Sequence, residues 1–289
     1  MVMRIRRKLN FIRGDMNVKL RFLLVGAGIL ATTMTGAAFA GIQGSKHDLG
    51  VGVDEANGEV CVFCHTPHGA DTGAAAPLWN KTLPTSTYQR YSSLGTATLD
   101  GTEVTVGSVS LACLSCHDGS QAMDVVINKP GSGGYNAAGS EISTTLVTNM
   151  SGAPVPMLGT DLRDDHPISI DYAGGACRGT TSDCDPATAA SGDADFLPAQ
   201  FASINTNPQW WVDVPTYATD AAGTVIETGT ANVREKTDMI LYTRDFSGTD
   251  GPSVECASCH DPHEDTARPV SFLRIANAGS GVCLACHIK

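Results

Sequence analysis

The sequence predicts a fold made mostly of irregular loops, with short helices, a few short strands and little conventional apolar core. Three observations support this. Aromatic residues make up only 6% of the chain, which contains 31 glycines. Long stretches dominated by Gly, Ser, Thr, Asp and Ala lack the periodicity of a helix or a strand. A five-residue motif, Cys-x-x-Cys-His, occurs four times, at residues 61–65, 113–117, 256–260 and 283–287.

Each of the four motifs contains the residues that attach haem c. The two thiols form thioethers with the vinyl groups of one haem, and the adjacent His binds the iron. The predicted thioether residues are Cys61, Cys64, Cys113, Cys116, Cys256, Cys259, Cys283 and Cys286, and the predicted proximal ligands are His65, His117, His260 and His287. Zinc sites also use paired Cys-x-x-Cys units, but they do not require a His after every second Cys. The sequence therefore predicts four haem c groups, and a multihaem cytochrome c organised around a stacked haem column.

Residues 1–40 are predicted to be a signal peptide that is cleaved after Ala40. A basic leader precedes a short apolar run at residues 22–31, and Ala38-Phe39-Ala40 has the pattern of a cleavage site. Met16 is an alternative start that would shorten the leader. The apolar run is shorter than the roughly 20 residues of a membrane-spanning helix, so we expect export without a membrane span. Residues 41–289 are expected to form a single tetrahaem domain.

Removal of the leader makes the chain strongly acidic. The full sequence has 19 basic and 30 acidic residues, of which the leader holds seven and one. The remaining 12 basic and 29 acidic residues carry a formal charge of −17. Because such a surface repels phosphate backbones, we expect no nucleic acid partner.

Two of the motifs continue in the same way. Residues 61–68 read CVFCHTPH and residues 256–263 read CASCHDPH. A His three positions after the proximal ligand, just beyond a Pro, cannot pass round the porphyrin to the opposite face of the same iron. We therefore expect His68 and His263 to bind the irons of other haems, His68 that of the second and His263 that of the fourth.

Four histidines lie outside the motifs, as many as the distal positions of four irons: His47, His68, His166 and His263. Met123, Met150, Met157 and Met239 are alternative axial ligands. The repeated CxxCHxPH sequence favours two imidazoles on every iron. Such irons have no open position for a substrate, so we expect one-electron transfer and no enzymatic activity.

The 138 residues between His117 and Cys256 contain no motif and are predicted to be a loop-rich insertion at about 118–255. Short strands are expected there at 168–172, 224–226 and 239–242, after a strand or hairpin at 104–111. Cys177 and Cys184 are spaced for a disulfide, which would contribute about 2.5 kcal/mol in the chain-entropy treatment.

Two further features of the chain have less specific interpretations. We expect the adjacent Trp210 and Trp211 to take part in ordinary packing. Packing on a porphyrin face and a contact between subunits are the alternatives. Asn80 and Asn149 begin triplets that match the N-glycosylation pattern.

The ordered set of motifs resembles the tetrahaem c-type cytochromes that polymerise into extracellular cytochrome nanowires, the OmcE type. The resemblance rests on KHDL at 46–49, CVFCHTPH at 61–68, CLSCHDG at 113–119, DHPIS at 165–169, CASCHDPH at 256–263 and the terminal CLACHIK. It implies loops wrapped around a continuous column of bis-His haems, one of which takes a distal His from the adjacent subunit. His47 is the first candidate for that ligand and His166 the second.

The resemblance also implies particular partners. It predicts a head-to-tail homopolymer at the cell surface or outside the cell, with other cytochromes and an extracellular electron acceptor as redox partners. A soluble periplasmic tetrahaem shuttle is the alternative, and a multihaem reductase is less favoured. The long interval between the second and third motifs is more than a compact shuttle requires, which favours the filament.

Overall fold

The computed structural model describes residues 41–52, 59–123, 125–131, 134–135, 138–140, 156–215, 217–219, 225–227, 229–230, 232–264 and 272–288. These residues belong to one compact unit, Ala40–Lys289. The predicted signal peptide at 1–40, the candidate glycosylation site Asn149 and the candidate ligand Met150 lie outside the described residues. Within the described part of the chain, no helix has the length and apolar character needed to cross a membrane.

The three α-helices among the described residues are short, and each overlaps a CxxCH motif. They are α1 (Ser108–His117), α2 (Cys256–Cys259) and α3 (Gly281–Leu284). Single 3-10 turns occur at Leu49–Gly52, Tyr91–Leu94, Tyr172–Gly175 and Ala278–Ser280. The chain therefore forms regular helix mainly where two cysteines and a histidine must share one turn.

The strand or hairpin predicted at 104–111 is wrong, because no residue of this range lies in a strand. Helix α1 begins at Ser108, and only Glu103 makes an isolated bridge, to Ile170. The apolar positions 106 and 109 are three residues apart, which breaks the alternation of a strand. Leu111 and Leu114 have the same three-residue spacing, and the helix buries Leu114 completely.

In the described ranges, seven strands form two sheets. They are β1 (Ile170–Asp171), β2 (Ala199–Ile204), β3 (Asn207–Val212), β4 (Tyr217–Thr219), β5 (Val225–Glu227), β6 (Met239–Asp245) and β7 (Asp250–Val254). The larger sheet is antiparallel in the order β1-β7-β6-β3-β2, and β4 pairs with β5. The strands predicted near 168–172, 224–226 and 239–242 are confirmed. The interval at 118–255 is thus more regular than its composition predicts.

The main apolar cluster lies between the larger sheet and the fourth motif. Trp210, Met239 and Leu241 are buried there together with Ala285 of the motif. Trp211 is also buried, on the neighbouring position of β3. Both tryptophans thus pack inside the protein, where Trp210 lies 4.7 Å from the Phe201 ring centre.

A disulfide belongs to the same cluster. Cys177 and Cys184 are joined, with an S–S distance of 2.06 Å, and both are buried. Cys184 pairs in an isolated bridge with Ala199 at the start of β2. The disulfide therefore closes a loop against the edge of the sheet that faces the fourth motif.

Candidate functional site

All four motifs adopt the same local geometry, in which the His follows one helical turn that begins at the first Cys. In the first, third and fourth motifs the His amide donates to the carbonyl of the first Cys, at 2.8, 3.2 and 2.9 Å. In the second motif the whole sequence Cys113–His117 lies in α1. Side chains three apart on a helical turn lie on one face, so each pair of thiols points to one side with the imidazole beside it. This arrangement matches two thioethers and one axial ligand of a single haem.

The first and third motifs are each supported by a returning segment, and the two segments are equivalent. Thr66 N–H donates to the Leu78 carbonyl at 2.8 Å, and Asp261 N–H donates to the Phe272 carbonyl at 2.7 Å. The bridge partners of the two proximal histidines are Trp79 for His65 and Leu273 for His260. The CxxCHxPH sequence therefore marks a structural unit that occurs twice.

Asn80 and Arg274 hold equivalent places in these two units. The amide of Asn80 donates to the Cys64 carbonyl at 2.9 Å, and that of Arg274 donates to the Cys259 carbonyl at 2.8 Å. The Asn80 side chain donates to the carbonyl of Val62, at 2.5 Å, and the Arg274 guanidinium to that of Ala257, at 3.0 Å. Each side chain thus fixes the residue just after the first Cys of its motif.

Asn80 is fully buried and also donates to the Asn128 carbonyl at 2.8 Å, while its Oδ1 accepts from the Asn128 amide at 2.9 Å. Burial and these bonds leave no room for a glycan in the folded protein, so the triplet at Asn80 is not a glycosylation site in this state. Sequence reasoning missed Asn80 and Arg274 as supporting residues. Their similar positions, 15 and 14 residues after the motif His, were the available signal.

The second and fourth motifs are supported by the long interval instead. The Leu158 amide donates to the His117 carbonyl at 2.8 Å. Leu197 N–H donates to the Cys286 carbonyl at 2.8 Å, and the Phe196 ring centre lies 4.3 Å from that of His287. The 118–255 segment therefore positions two motifs and does not merely separate them.

Cysteines of consecutive motifs are neighbours. Burial raises the pKa of the Cys64 thiol to about 12. The second-largest cause of this increase is the electrostatic effect of the nearby Cys116 thiol. A hydrogen bond joins the Cys113 and Cys256 thiols; it raises the pKa of Cys113 and lowers that of Cys256.

The contact between the third and fourth motifs is of the same kind. Burial raises the pKa of Cys286 to about 12. The second-largest cause of this increase is the electrostatic effect of the nearby Cys259 thiol. The four motifs therefore form one uninterrupted series, first to second to third to fourth.

Two of the non-motif histidines lie opposite proximal histidines. The ring centres of His65 and His263 are 5.9 Å apart, with nearly parallel planes, and those of His47 and His117 are 6.1 Å apart and nearly perpendicular. Metal–imidazole bonds of about 2 Å on each side place two ring centres roughly 6 Å apart across one metal ion. Both separations fit a pair of axial ligands.

The protonation of these imidazoles also fits iron binding. His65 and His117 each donate an Nδ1 proton to a proline carbonyl, that of Pro77 at 2.6 Å and that of Pro156 at 2.7 Å. Such bonds orient a metal-binding imidazole and leave its Nε2 for the metal. Burial lowers the pKa of His47 to about 4, and electrostatic repulsion from the nearby His117 is the second cause. The His47 ring is therefore neutral at physiological pH, and the neutral ring is the form that binds metals.

These positions differ from two of the expectations. His263 lies beside His65 of the first motif, where the sequence had suggested the fourth haem. His47 lies beside His117 of its own chain, which removes the reason for choosing it as a ligand to a neighbouring subunit. His68 and His166 are exposed, and neither is brought opposite a motif histidine by a described ring contact. Sequence spacing could not assign these pairs, because each joins residues at least 70 positions apart.

A buried ion pair links the second and third motifs, and the sequence did not indicate it. Glu255, directly before Cys256, accepts from Arg244 at 2.7 Å and from Ser110 at 2.5 Å. Ser169 and Ser253 donate to the same carboxylate, at 3.1 and 3.0 Å. Burial raises the pKa of Glu255 above its ordinary value in spite of these partners. The network fastens α1 and α2 to the sheet.

The comparison with protein families agrees with this geometry. Residues 251–289 match the family described as "Doubled CXXCH motif". The sequence matches none of the curated proteins with which it was compared. The matched segment contains the third and fourth motifs, and its doubled CxxCH sequence indicates covalently bound haem c and electron transfer.

We expect Glu255→Gln to destabilise the haem-loaded protein by about 3 kcal/mol. The substitution keeps the shape of the side chain but leaves the largely buried Arg244 without its counter-charge. The effect is measured as the free energy of unfolding in a denaturant titration. Asp161→Asn, which removes the carboxylate from the exposed ion pair with Arg163, is the matched control and should change stability little. Equal effects of the two substitutions would contradict the role given to Glu255.

Proposed function

We propose that this protein transfers electrons through four covalently bound haem c groups, one on each CxxCH motif. The observation that carries the proposal is the uninterrupted series of neighbouring cysteines from the first motif to the fourth. A haem iron held by two imidazoles accepts and releases one electron at a time. The residues of the chain attach, orient and space the four groups, and they exclude substrates from the irons.

The axial ligands follow from the paired rings and the repeated unit. His65 and His263 would hold the first iron, and His117 and His47 the second. Because the first and third motifs are equivalent, His68 is assigned to the third iron opposite His260, as the counterpart of His263 on the first. His166 is then left for the fourth iron, opposite His287.

We further propose that copies of the chain join end to end as an exported filament at the cell surface. Cys61 and Cys283, the outer cysteines of the first and fourth motifs, are both exposed, so the series reaches the surface at each end. Exposed apolar side chains lie near both ends, Leu78 near the first motif and Leu284 and Ile288 beside the fourth. In a filament the exposed His166 would bind the fourth iron of the adjacent copy. In a periplasmic shuttle it would bind within its own chain.

The proposed haem content is tested by the mass and spectrum of the mature protein made in a host with cytochrome c maturation. We expect a mass increase of four haems and the spectrum of low-spin, six-coordinate iron. Cys283→Ala with Cys286→Ala should remove one haem and leave three. A wild-type protein with fewer than four haems, or with high-spin iron in every haem, would refute the proposal.

The filament is tested by electron microscopy of the secreted fraction. We expect filaments whose subunits carry four haems, and we expect His166→Ala, which removes any side-chain ligand, to abolish them while the separated subunits keep all four haems. Lys129→Met, an exposed substitution elsewhere, should leave filaments intact. Single particles of one subunit for the wild type would favour the shuttle.

A further inference from the structure

Lys81 is a fully buried cation between the first and second motifs. It directly follows Asn80, which fixes the first motif, and its side chain is 1% exposed. Its Nζ donates to the carbonyls of Ala122, Met123 and Val125, at 3.0, 3.3 and 2.8 Å, in the loop that follows the second motif. The ammonium group thus lies where the supports of two motifs meet.

The hydrogen bonds establish the charge of this group. Three carbonyls accept from one nitrogen, which requires three N–H hydrogens and therefore the protonated amine. Carbonyl groups solvate an ammonium ion but do not neutralise it. Among the described residues, no carboxylate lies within ion-pair distance of Lys81.

Packing alone does not require a charge at this place. Burial of an ammonium group costs free energy that an apolar side chain of similar length would avoid. The equivalent unit at the third motif is different, because position 275, which corresponds to Lys81, is an isoleucine. Its nearest cation, Arg274, lies 3.9 Å from the carboxylate of Asp261. Among the described residues of the two units, a buried cation with no carboxylate at ion-pair distance therefore occurs only in the first.

The charge lies next to both motifs. Asn80, the residue before Lys81, donates its amide to the Cys64 carbonyl at 2.9 Å, and the carbonyls that accept from the Lys81 ammonium group belong to a loop that begins five residues after His117. A positive charge in a poorly solvated region has a stronger effect on a nearby charge change than one at the surface.

We propose that Lys81 raises the reduction potentials of the first and second haems. Reduction adds one negative charge at the iron, and a fixed cation beside the thioether edge stabilises the reduced form. Lys81 is thus a positioning and potential-setting residue for the electron transfer proposed above. The inference rests on that proposal. It states that the first two haems accept an electron more readily with a charged side chain at position 81 than they would with a neutral one.

The test is a spectroelectrochemical titration of the full, haem-loaded protein. Lys81→Met should lower two of the four midpoint potentials and leave the other two in place. Lys81→Arg, which keeps the charge, should retain the wild-type potentials. Lys129→Met removes an exposed charge and should shift no midpoint appreciably, because solvent screens it.

A second neutral variant, Lys81→Gln, keeps hydrogen-bond donors toward the same carbonyls and separates the effect of charge from that of structure. It should reproduce the shift of Lys81→Met. The inference would be overturned if either neutral variant bound four haems with unchanged midpoint potentials. It would also be overturned if both variants lost haem, because the role of Lys81 would then be structural. Absence of four haems from the wild-type protein would instead refute the proposed function.

Discussion

The architecture depends on one local constraint, that two cysteines and a histidine share a single helical turn. The backbone bond from the His amide to the first Cys carbonyl recurs in the first, third and fourth motifs, and α1 supplies the equivalent turn in the second. A turn of this length has almost no stability of its own. It must be fixed by other segments, and the chain does this through the returning segments at Asn80 and Arg274 and through the long interval at Leu158 and Leu197. The large proportion of irregular structure follows, because the chain is used to hold short turns and not to build long elements.

The features that could be predicted from the sequence are those encoded over a few residues. The CxxCH motifs, the strand at Met239–Asp245 and the spacing of Cys177 and Cys184 are of this kind. Features that join remote residues could not be predicted. The pairing of His65 with His263 spans nearly 200 positions, and Glu255 meets Ser110 across 145. The helix at Ser108–His117 was missed because its apolar residues first suggest a strand, and the need for a helical turn at the second motif outweighs that local preference.

The interval without motifs has a larger part in the molecule than its composition suggests. It contributes all five strands of the larger sheet, the disulfide and the contacts that hold His117 and Cys286. The sheet also carries Arg244, whose bond to Glu255 links the second motif to the third. The two halves of the series therefore differ in their surroundings. In the part of the chain that the structure describes, the first half has a buried lysine with no carboxylate at ion-pair distance, while the second half packs against the sheet and its apolar cluster.

In the proposed arrangement, histidines remote in sequence complete the coordination of haems that form one series. The most direct measurement is an experimental structure of the haem-loaded protein in which anomalous scattering locates the irons. We expect four irons, with the first between His65 and His263 and the second between His117 and His47. An iron at the first motif whose distal ligand is any residue other than His263, or four irons that do not follow the order of the motifs, would contradict it.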